Sequence, residues 1–386
     1  MENKSTREVF LILPSHQEAN REIIRGIYEY AYPEFRWAFF HVNQTVRAIE
    51  HISQLKTASG IIGLLGREDL ADAAAKSSLP VVNIHDGEVY AGLPQVGEDG
   101  YLIGAYAAEC LQDTGAEHVG FYGLKGANFS EVRCRGFCDT LKKLGRKDVN
   151  VFFRDPAMLQ SMEHFGERNP ALEWLEACPK PIAIYCANDT FANELSVACF
   201  QADIRIPQEV MLLGTDNDSI WAKVAHPSLS SIQLPYREIG RRAAQMLQQL
   251  IQGDAIDETL LRIHQPEIVE RQSTARVHAS DPLVEKALLW MQERGQTGAG
   301  MHEVAKVAGC STRALEIRFQ KALGRSPGSE LKRIRLTFVK QLLREADWTI
   351  ETIAEDCNFS SGAYLSQFFK RETGMTPGAY RKTFRL

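Results

Sequence analysis

One pattern is written twice in the last hundred residues, and no other feature constrains the fold as much. The first copy is EVAKVAGCSTRALEIRFQKALGRSP, over 303–327; the second is TIAEDCNFSSGAYLSQFFKRETGMTP, over 352–377. Ala305, Gly309 and Ser311 precede Ala354, Asn358 and Ser360 by 49 positions. After one inserted residue, Leu315, Phe319, Gly324 and Pro327 precede Leu365, Phe369, Gly374 and Pro377 by 50. Such a period marks one supersecondary unit used twice. Each copy reads as helix, tight turn, helix. Gly309 ends the first helix in the left-handed region, and Asn358 takes that place in copy two. Ser311 and Ser360 suit N-caps of the second helices. Leu315 and Phe319, like Leu365 and Phe369, are i, i+4 and give each second helix one apolar face. The other face is left to enter a groove, as in a helix-turn-helix.

The doubled motif, Arg335 and Leu342-Leu343 in the intervening helix, and the closing FFKRETGMTPGAYR together resemble the AraC/XylS-type DNA-binding domain over roughly 281–386. Charge agrees. From residue 281 onward 17 Lys+Arg face 12 Asp+Glu, whereas the residues before it hold 27 against 37. A basic module on an acidic body suits a nucleic-acid reader carried by another domain.

At 386 residues the chain is too long for that domain alone. From residue 9 to about 270, short β-branched or aromatic runs alternate with amphipathic stretches. Strands are expected at 9–13, 37–42, 60–64, 80–84, 118–122, 150–153, 182–186, 210–213 and 229–232. Helices are expected at 20–30, 102–112, 133–144 and 239–251. This alternation implies parallel sheets covered by helices, with ligands beyond the carboxyl ends of the strands. Nine units exceed one sheet, so an α/β sensor of two lobes with a cleft is expected.

Six stretches in order resemble the LacI/GalR-type effector domain, a relative of periplasmic sugar-binding proteins. They are Glu98-Asp99-Gly100, Arg133-x-x-Gly136-Phe137, Ala187-Asn188-Asp189, Leu213-Gly214-Thr215-Asp216, Leu229-Ser230-Ser231-Ile232 and Glu270-Arg271-Gln272-Ser273-Thr274. The resemblance implies a periplasmic-binding-protein-like sensor over 1–275, its strands crossing between the lobes. A short linker follows at 276–282, and an all-α AraC-type domain at 283–386 carries helix-turn-helix motifs near 301–321 and 350–371.

A sugar pocket needs forked polar groups for hydroxyls and an aromatic or apolar wall for the ring. At the family positions stand Asp99, Arg133, Asn188, Asp189 and Asp216, with Tyr236 as the wall. Arg133 can fork to two adjacent hydroxyls, and a carboxylate accepts two more. For each, the alternative is a helix cap or a surface pair. His16, Gln17 and Glu18 follow the first strand and are placed either at the cleft or outside it. In the first reading helix, Thr312, Arg313, Glu316 and Ile317 are the outward positions. Arg313 suits guanine, Glu316 a cytosine amine, and Ile317, where the family often has a basic residue, a thymine methyl. The matching positions in the second are Gly362, Ala363, Ser366 and Gln367. Gln367 suits adenine, whereas Gly362 and Ala363 are short and read little. Lys370, Arg371 and Arg381 are placed on phosphates.

Other classes find little support. There is no nucleotide-binding glycine loop, no recognised nucleophile motif and no clustered His, so neither an enzyme nor a metal or cofactor is expected. The eight cysteines show no C-x-x-C, and Cys134 and Cys138 are read as packing. The apolar run at 9–13 is too short for a secretory signal, and no run spans a membrane. The expectation is a cytoplasmic transcription regulator, an activator of carbohydrate use. The two resemblances imply xylose or a similar monosaccharide as its effector, and double-stranded operator DNA, RNA polymerase and a second copy as its partners. The rival is a small-molecule-binding protein whose helical domain docks a protein.

Overall fold

Strand and helix alternate in the structure as in the sequence. The computed structural model describes residues 6–384 except 33, 86–91, 113, 115, 147, 157–169, 257–259, 264, 265, 275–280 and 295–299. Most of the expected linker therefore lies outside the described residues. Two compact units result: Met1–Ile204 with Leu212–Ile268, and Arg205–Met211 with Val269–Leu386. The second unit thus starts before residue 276 and gathers a short earlier segment.

The first unit opens with β1 (Arg7–Ile12), α1 (Glu18–Ala31), β2 (Trp37–His41), α2 (Val46–Ser53), β3 (Ala58–Gly63), α3 (Glu68–Ala75), β4 (Val81–Ile84) and β5 (Gln95–Glu98). It continues with α4 (Gly100–Gln112), β6 (His118–Leu124), α5 (Asn128–Lys143), β7 (Val149–Arg154), α6 (Pro170–Ala177), β8 (Ile182–Cys186), α7 (Asp189–Gln201), β9 (Val210–Thr215), α8 (Trp221–Val224) and β10 (Ser230–Gln233). Then come α9 (Tyr236–Gln252), β11 (Leu260–Ile263) and β12 (Glu267–Val269). Two six-stranded sheets form, ordered β11-β5-β4-β3-β1-β2 and β12-β10-β9-β8-β6-β7. The pairs β1/β2, β1/β3, β3/β4, β4/β5, β6/β7, β6/β8 and β9/β10 run parallel. Strands β4, β8 and β9 are buried at every position, as sheets covered on both faces require. Each sheet is one lobe. The chain changes lobe after β5, after β10 and between β11 and β12.

All nine expected strands are present. Not among the expected strands are β5, β11 and β12, which are three or four residues long and each interrupted by at least one polar or charged side chain.

Glycines set the approach of the helices that carry the cleft. A Cβ on Gly104 of α4 would lie 2.0 Å from the Arg133 carbonyl oxygen, and one on Gly136 of α5 would lie 2.0 Å from that of Tyr101. The two backbones touch, which fixes α5 and the Arg133 side chain it bears.

The second unit is helical: α10 (Pro282–Arg294), α11 (Met301–Ala308), α12 (Thr312–Leu323), α13 (Pro327–Glu345), α14 (Ile350–Asp356), α15 (Gly362–Thr373) and α16 (Pro377–Phe384). Each motif has its own core. Leu288, Val304, Ala305, Leu315 and Phe319 pack in the first, and Ile353, Ala354, Leu365, Phe369 and Tyr380 in the second. The long α13 serves both, giving Leu331 and Ile334 to one core and Val339 and Leu343 to the other. Its Arg344 is buried and donates to the Tyr380 hydroxyl at 2.8 Å, so the closing motif clamps the connecting helix.

Both turns behave as the repeat implies. Gly309 has φ 77° and Asn358 φ 56°. The Ser311 hydroxyl accepts from Ala314 N–H at 3.2 Å. In copy two, however, the cap is Ser361, which accepts from Tyr364 N–H at 3.1 Å. The extra residue of the second repeat therefore falls in the turn, ahead of the cap, and Ser360 lies outside the helix.

Candidate functional site

Four side chains from different elements meet where the two lobes face each other. Arg133, on α5, is 2% exposed. It donates to Glu98 at the end of β5 (3.0 Å) and to the Ala187 carbonyl oxygen after β8 (2.6 Å). Its Nη1 lies 3.7 Å from Oδ1 of Asp216, which follows β9. Tyr236, at the start of α9, donates its hydroxyl to the same Oδ1 at 2.7 Å. Glu98, Ala187 and Asp216 all stand at carboxyl ends of strands, the place a parallel sheet offers a ligand. The side chain of Asp216 keeps 23% of its exposure and that of Glu98 14%, so both carboxylates remain reachable.

Electrostatics bind the cluster together. Burial opposes the Arg133 cation, but Asp216, Tyr185, Tyr236 and Glu98 together outweigh it and keep the guanidinium charged. Burial holds the Asp216 carboxyl above the usual aspartate range, with Arg133 and the Tyr236 hydroxyl opposing. Tyr185, which accepts from the Thr215 hydroxyl at 3.1 Å, is pushed up to about 12, chiefly by burial. Asp216 and Asn217 have φ 95° and 50°, a region uncommon for residues other than glycine. The Asn217 N–H bonds the Ser231 hydroxyl at 2.9 Å and its amide bonds Gln233 at 2.6 Å, which holds this turn in place.

The structure corrects several expected roles. Asp99 does not join the cluster: its Oδ1 accepts from Leu102 N–H at 3.0 Å and caps α4. Asn188 caps α7 by accepting from Phe191 N–H at 3.0 Å. Asp189 is 1% exposed, takes the Asp218 N–H at 2.7 Å and presses on Gly214, where a Cβ would meet its Oδ1 at 1.9 Å. It shapes the turn that carries Asp216. Tyr236 is buried and acts through its hydroxyl, not as an open wall. The aromatic ring at the cluster is Phe129, half-buried, its centroid 5.5 Å from the Arg133 guanidinium carbon. Glu98 and Phe129 were the missed residues. The first was visible as the acid beside Asp99, the second as the aromatic one helical turn before Arg133. Of the three residues after β1, His16 is exposed, Gln17 bonds Asn20, and Glu18 accepts from Ser219 N–H and so joins the lobes.

In the helical unit the two reading helices show distinct outer faces. On α12, Arg313, Glu316 and Ile317 are exposed and Thr312 is partly so; Ile317 is 63% exposed, an unusual place for a bare isoleucine. On α15, Ala363, Gln367, Lys370 and Arg371 are exposed and Ser366 is partly covered. Gly362 is buried, and a Cβ there would sit 2.9 Å from Glu351 Oε1, so it is a packing position and not a reader. Arg371 lies against Phe368 and pairs with Glu372. Arg381 donates to the Trp348 carbonyl oxygen and its Nε is buried, so it braces a loop instead of facing a phosphate. Tyr364, 52% exposed beside Ala363 and Gln367, was not anticipated.

Part of each unit matches a known family model. Residues 108–274 match the periplasmic binding protein-like domain, and residues 304–383 match a helix-turn-helix domain. The xylose operon regulatory protein of Haemophilus influenzae is 24% identical over 382 residues, covering 97% of this chain and 98% of its own. That of Escherichia coli K12 is 23% identical over 383 residues, covering 97% and 96%. A solved xylose-binding transcription activator, xylR, aligns over 99% of both chains with a TM-score of 0.62 at 21% identity. Among the described residues no helix is long and apolar enough to cross a membrane, and no group of three His, Cys, Asp or Glu stands together.

Proposed function

We propose that this chain, which joins a periplasmic binding protein-like domain to an AraC-type helix-turn-helix domain, is a transcription regulator that binds DNA in response to a sugar. The observation that carries the reading is the cluster of Glu98, Arg133, Asp216 and Tyr236 at the meeting of two parallel-sheet lobes, in a chain that also bears two exposed reading helices. A forked cation between two carboxylates suits a polyol, whose hydroxyls both donate and accept. The effector is xylose or a similar monosaccharide, as the names of the similar regulators suggest. It enters the cleft, takes hydroxyl contacts from Asp216, Glu98 and Arg133, and lays its ring by Phe129. Asp99, Asn188 and Asp189 hold the surrounding turns. The sensor extends over 1–275, the linker over 276–282 and the reader over 283–386.

On DNA, Arg313, Glu316, Ile317 and Thr312 read one major-groove segment. Ala363, Tyr364, Ser366 and Gln367 read a second about one helical turn away, with Lys370 and Arg371 on phosphates. The protein acts in the cytoplasm as a homodimer, activates genes of sugar use through RNA polymerase, and performs no catalysis. A ligand moves such a switch only if it prefers one arrangement of the lobes.

Two measurements test this. Selection from a genomic fragment library at moderate salt yields a retained operator. A thermal-shift panel of monosaccharides yields saturable stabilisation by D-xylose or a close pentose or hexose. No retained sequence sinks the DNA half; no stabilising sugar sinks the sensor half.

A further inference from the structure

A second concavity of about 280 Å³ lies at the far end of the first lobe from the cleft, lined in part by Ala31, Tyr32, Phe35, Arg36, Trp37 and Phe39. Strand β1 starts at Arg7, β2 starts at Trp37 and α1 ends at Ala31, so this hollow sits by the amino ends of the strands. Glu98 and Asp216 stand at the carboxyl ends.

Its walls are aromatic. The ring centroids of Phe35 and Trp37 are 5.9 Å apart, those of Trp37 and Phe39 5.9 Å, and those of Tyr30 and Phe35 5.6 Å. Tyr32 is 84% exposed at the rim. Its nitrogen groups are donors only, and beside them stand the Thr6 and Tyr32 hydroxyls, which can donate or accept. The Trp37 indole N–H is buried with no hydrogen-bond partner, an uncommon state that calls for an explanation. Arg36 is exposed, and no carboxylate pairs with it among the described residues. Neither Asp nor Glu lines the hollow. A sugar needs acceptors as well as donors, and this site lacks acidic ones. The ligand that matches the Arg36 guanidinium and the Trp37 N–H brings a charged acceptor, together with a flat apolar face. The volume is near the lower end of the ~300–1,000 Å³ usual for ligand sites, enough for one substituted ring.

We propose that this hollow is a second effector site, taking a single-ring aromatic carboxylate. The ring packs among Phe35, Trp37 and Phe39, and the carboxylate meets the Trp37 indole and the Arg36 guanidinium. The site is separate from the sugar cleft and does not depend on what that cleft binds.

The test is titration of the full-length protein with benzoate, phenylacetate, benzyl alcohol and acetate, reading melting temperature and tryptophan fluorescence. Benzoate or phenylacetate gives a saturable change; acetate and benzyl alcohol do not. Trp37→Phe keeps the ring, removes the N–H and weakens the carboxylate about tenfold, as loss of a hydrogen bond to a charged group does. Arg36→Gln, on the surface, erases the preference for the acid over the alcohol, and decides the matter alone should Trp37→Phe not fold. A benzoate effect no larger than that of acetate overturns the proposal, as does benzoate binding that survives both substitutions. So does self-association in sedimentation that Tyr32→Ser abolishes, because the aromatic face is then a contact between copies.

Discussion

In the proposed sugar site, Asp216 is the residue on which ligand response and proton balance would meet. Its carboxyl titrates above the usual 3.8 because burial disfavours the anion, against the pull of Arg133 and the Tyr236 hydroxyl. At pH below 3.8 it is protonated in both folded and unfolded chains. As pH rises, the unfolded chain ionises first, so this group costs folding stability, and the cost is complete once pH passes the folded value. Sugar hydroxyls that donate to the carboxylate favour the anion. Sugar binding should therefore expel a proton near the folded value and weaken as pH falls through it, toward tenfold per unit. Calorimetry in two buffers of different ionisation enthalpy reads the proton directly, and in Asp216→Asn its release should vanish. Tyr236→Phe leaves the ring in place and removes the 2.7 Å donor. Its expected cost is ~1 kcal/mol in stability, and about tenfold in sugar affinity, by denaturant titration and calorimetry. An unchanged affinity would show that the hydroxyl plays no part in positioning Asp216.

At the scale of elements, the repeat made most of the reader legible. Val304, Ala305, Leu315 and Phe319 and their counterparts fall on buried faces, and the left-handed residues at 309 and 358 are where the turn needs them. What spacing alone did not settle was the place of the inserted residue. Two serines in a row both satisfy the chemistry of a cap, and the 49-residue offset favoured the wrong one. Ser361→Ala should destabilise the reader by ~1 kcal/mol and Ser360→Ala by almost nothing, measured as paired melting curves. Equal effects would mean that both hydroxyls serve the helix. In the sensor, strands with β-branched runs were read and β5 was not. Its four residues, Gln95, Val96, Gly97 and Glu98, include only one β-branched side chain. With β5 unseen, nothing in the sequence showed which of two adjacent acids faces inward, and Asp99 was preferred to Glu98. The caps at Asp99 and Asn188 belong to the same ambiguity, since carboxylates and amides serve helix ends and sugars with the same atoms.

For the whole molecule, charge is divided more unevenly than the net −5 implies. An acidic sensor gains nothing from phosphates, so affinity for DNA rests on the exposed cations of the reader and must fall with salt. Lys370→Ala should weaken all sequences alike and reduce the slope of log affinity against log salt by about 1, while the preferred operator stays the same. Arg313→Ala should cost ~1–3 kcal/mol at one base pair and relax choice there, read by selection on randomised sites. If Arg313→Ala shifts only the salt slope, it belongs with the phosphate contacts.

The mated polar groups of the cleft carry one more consequence. Glu98, Arg133, Asp216 and Tyr236 already bond one another, with Arg133 Nε left buried and unpartnered, and Glu18 of the first lobe bonds the Ser219 N–H of the second. A sugar in the proposed site would therefore trade several existing bonds for new ones, and that exchange would reduce its net gain. A detector built on such an exchange would respond to plenty and ignore traces, and would let go once the nutrient is spent.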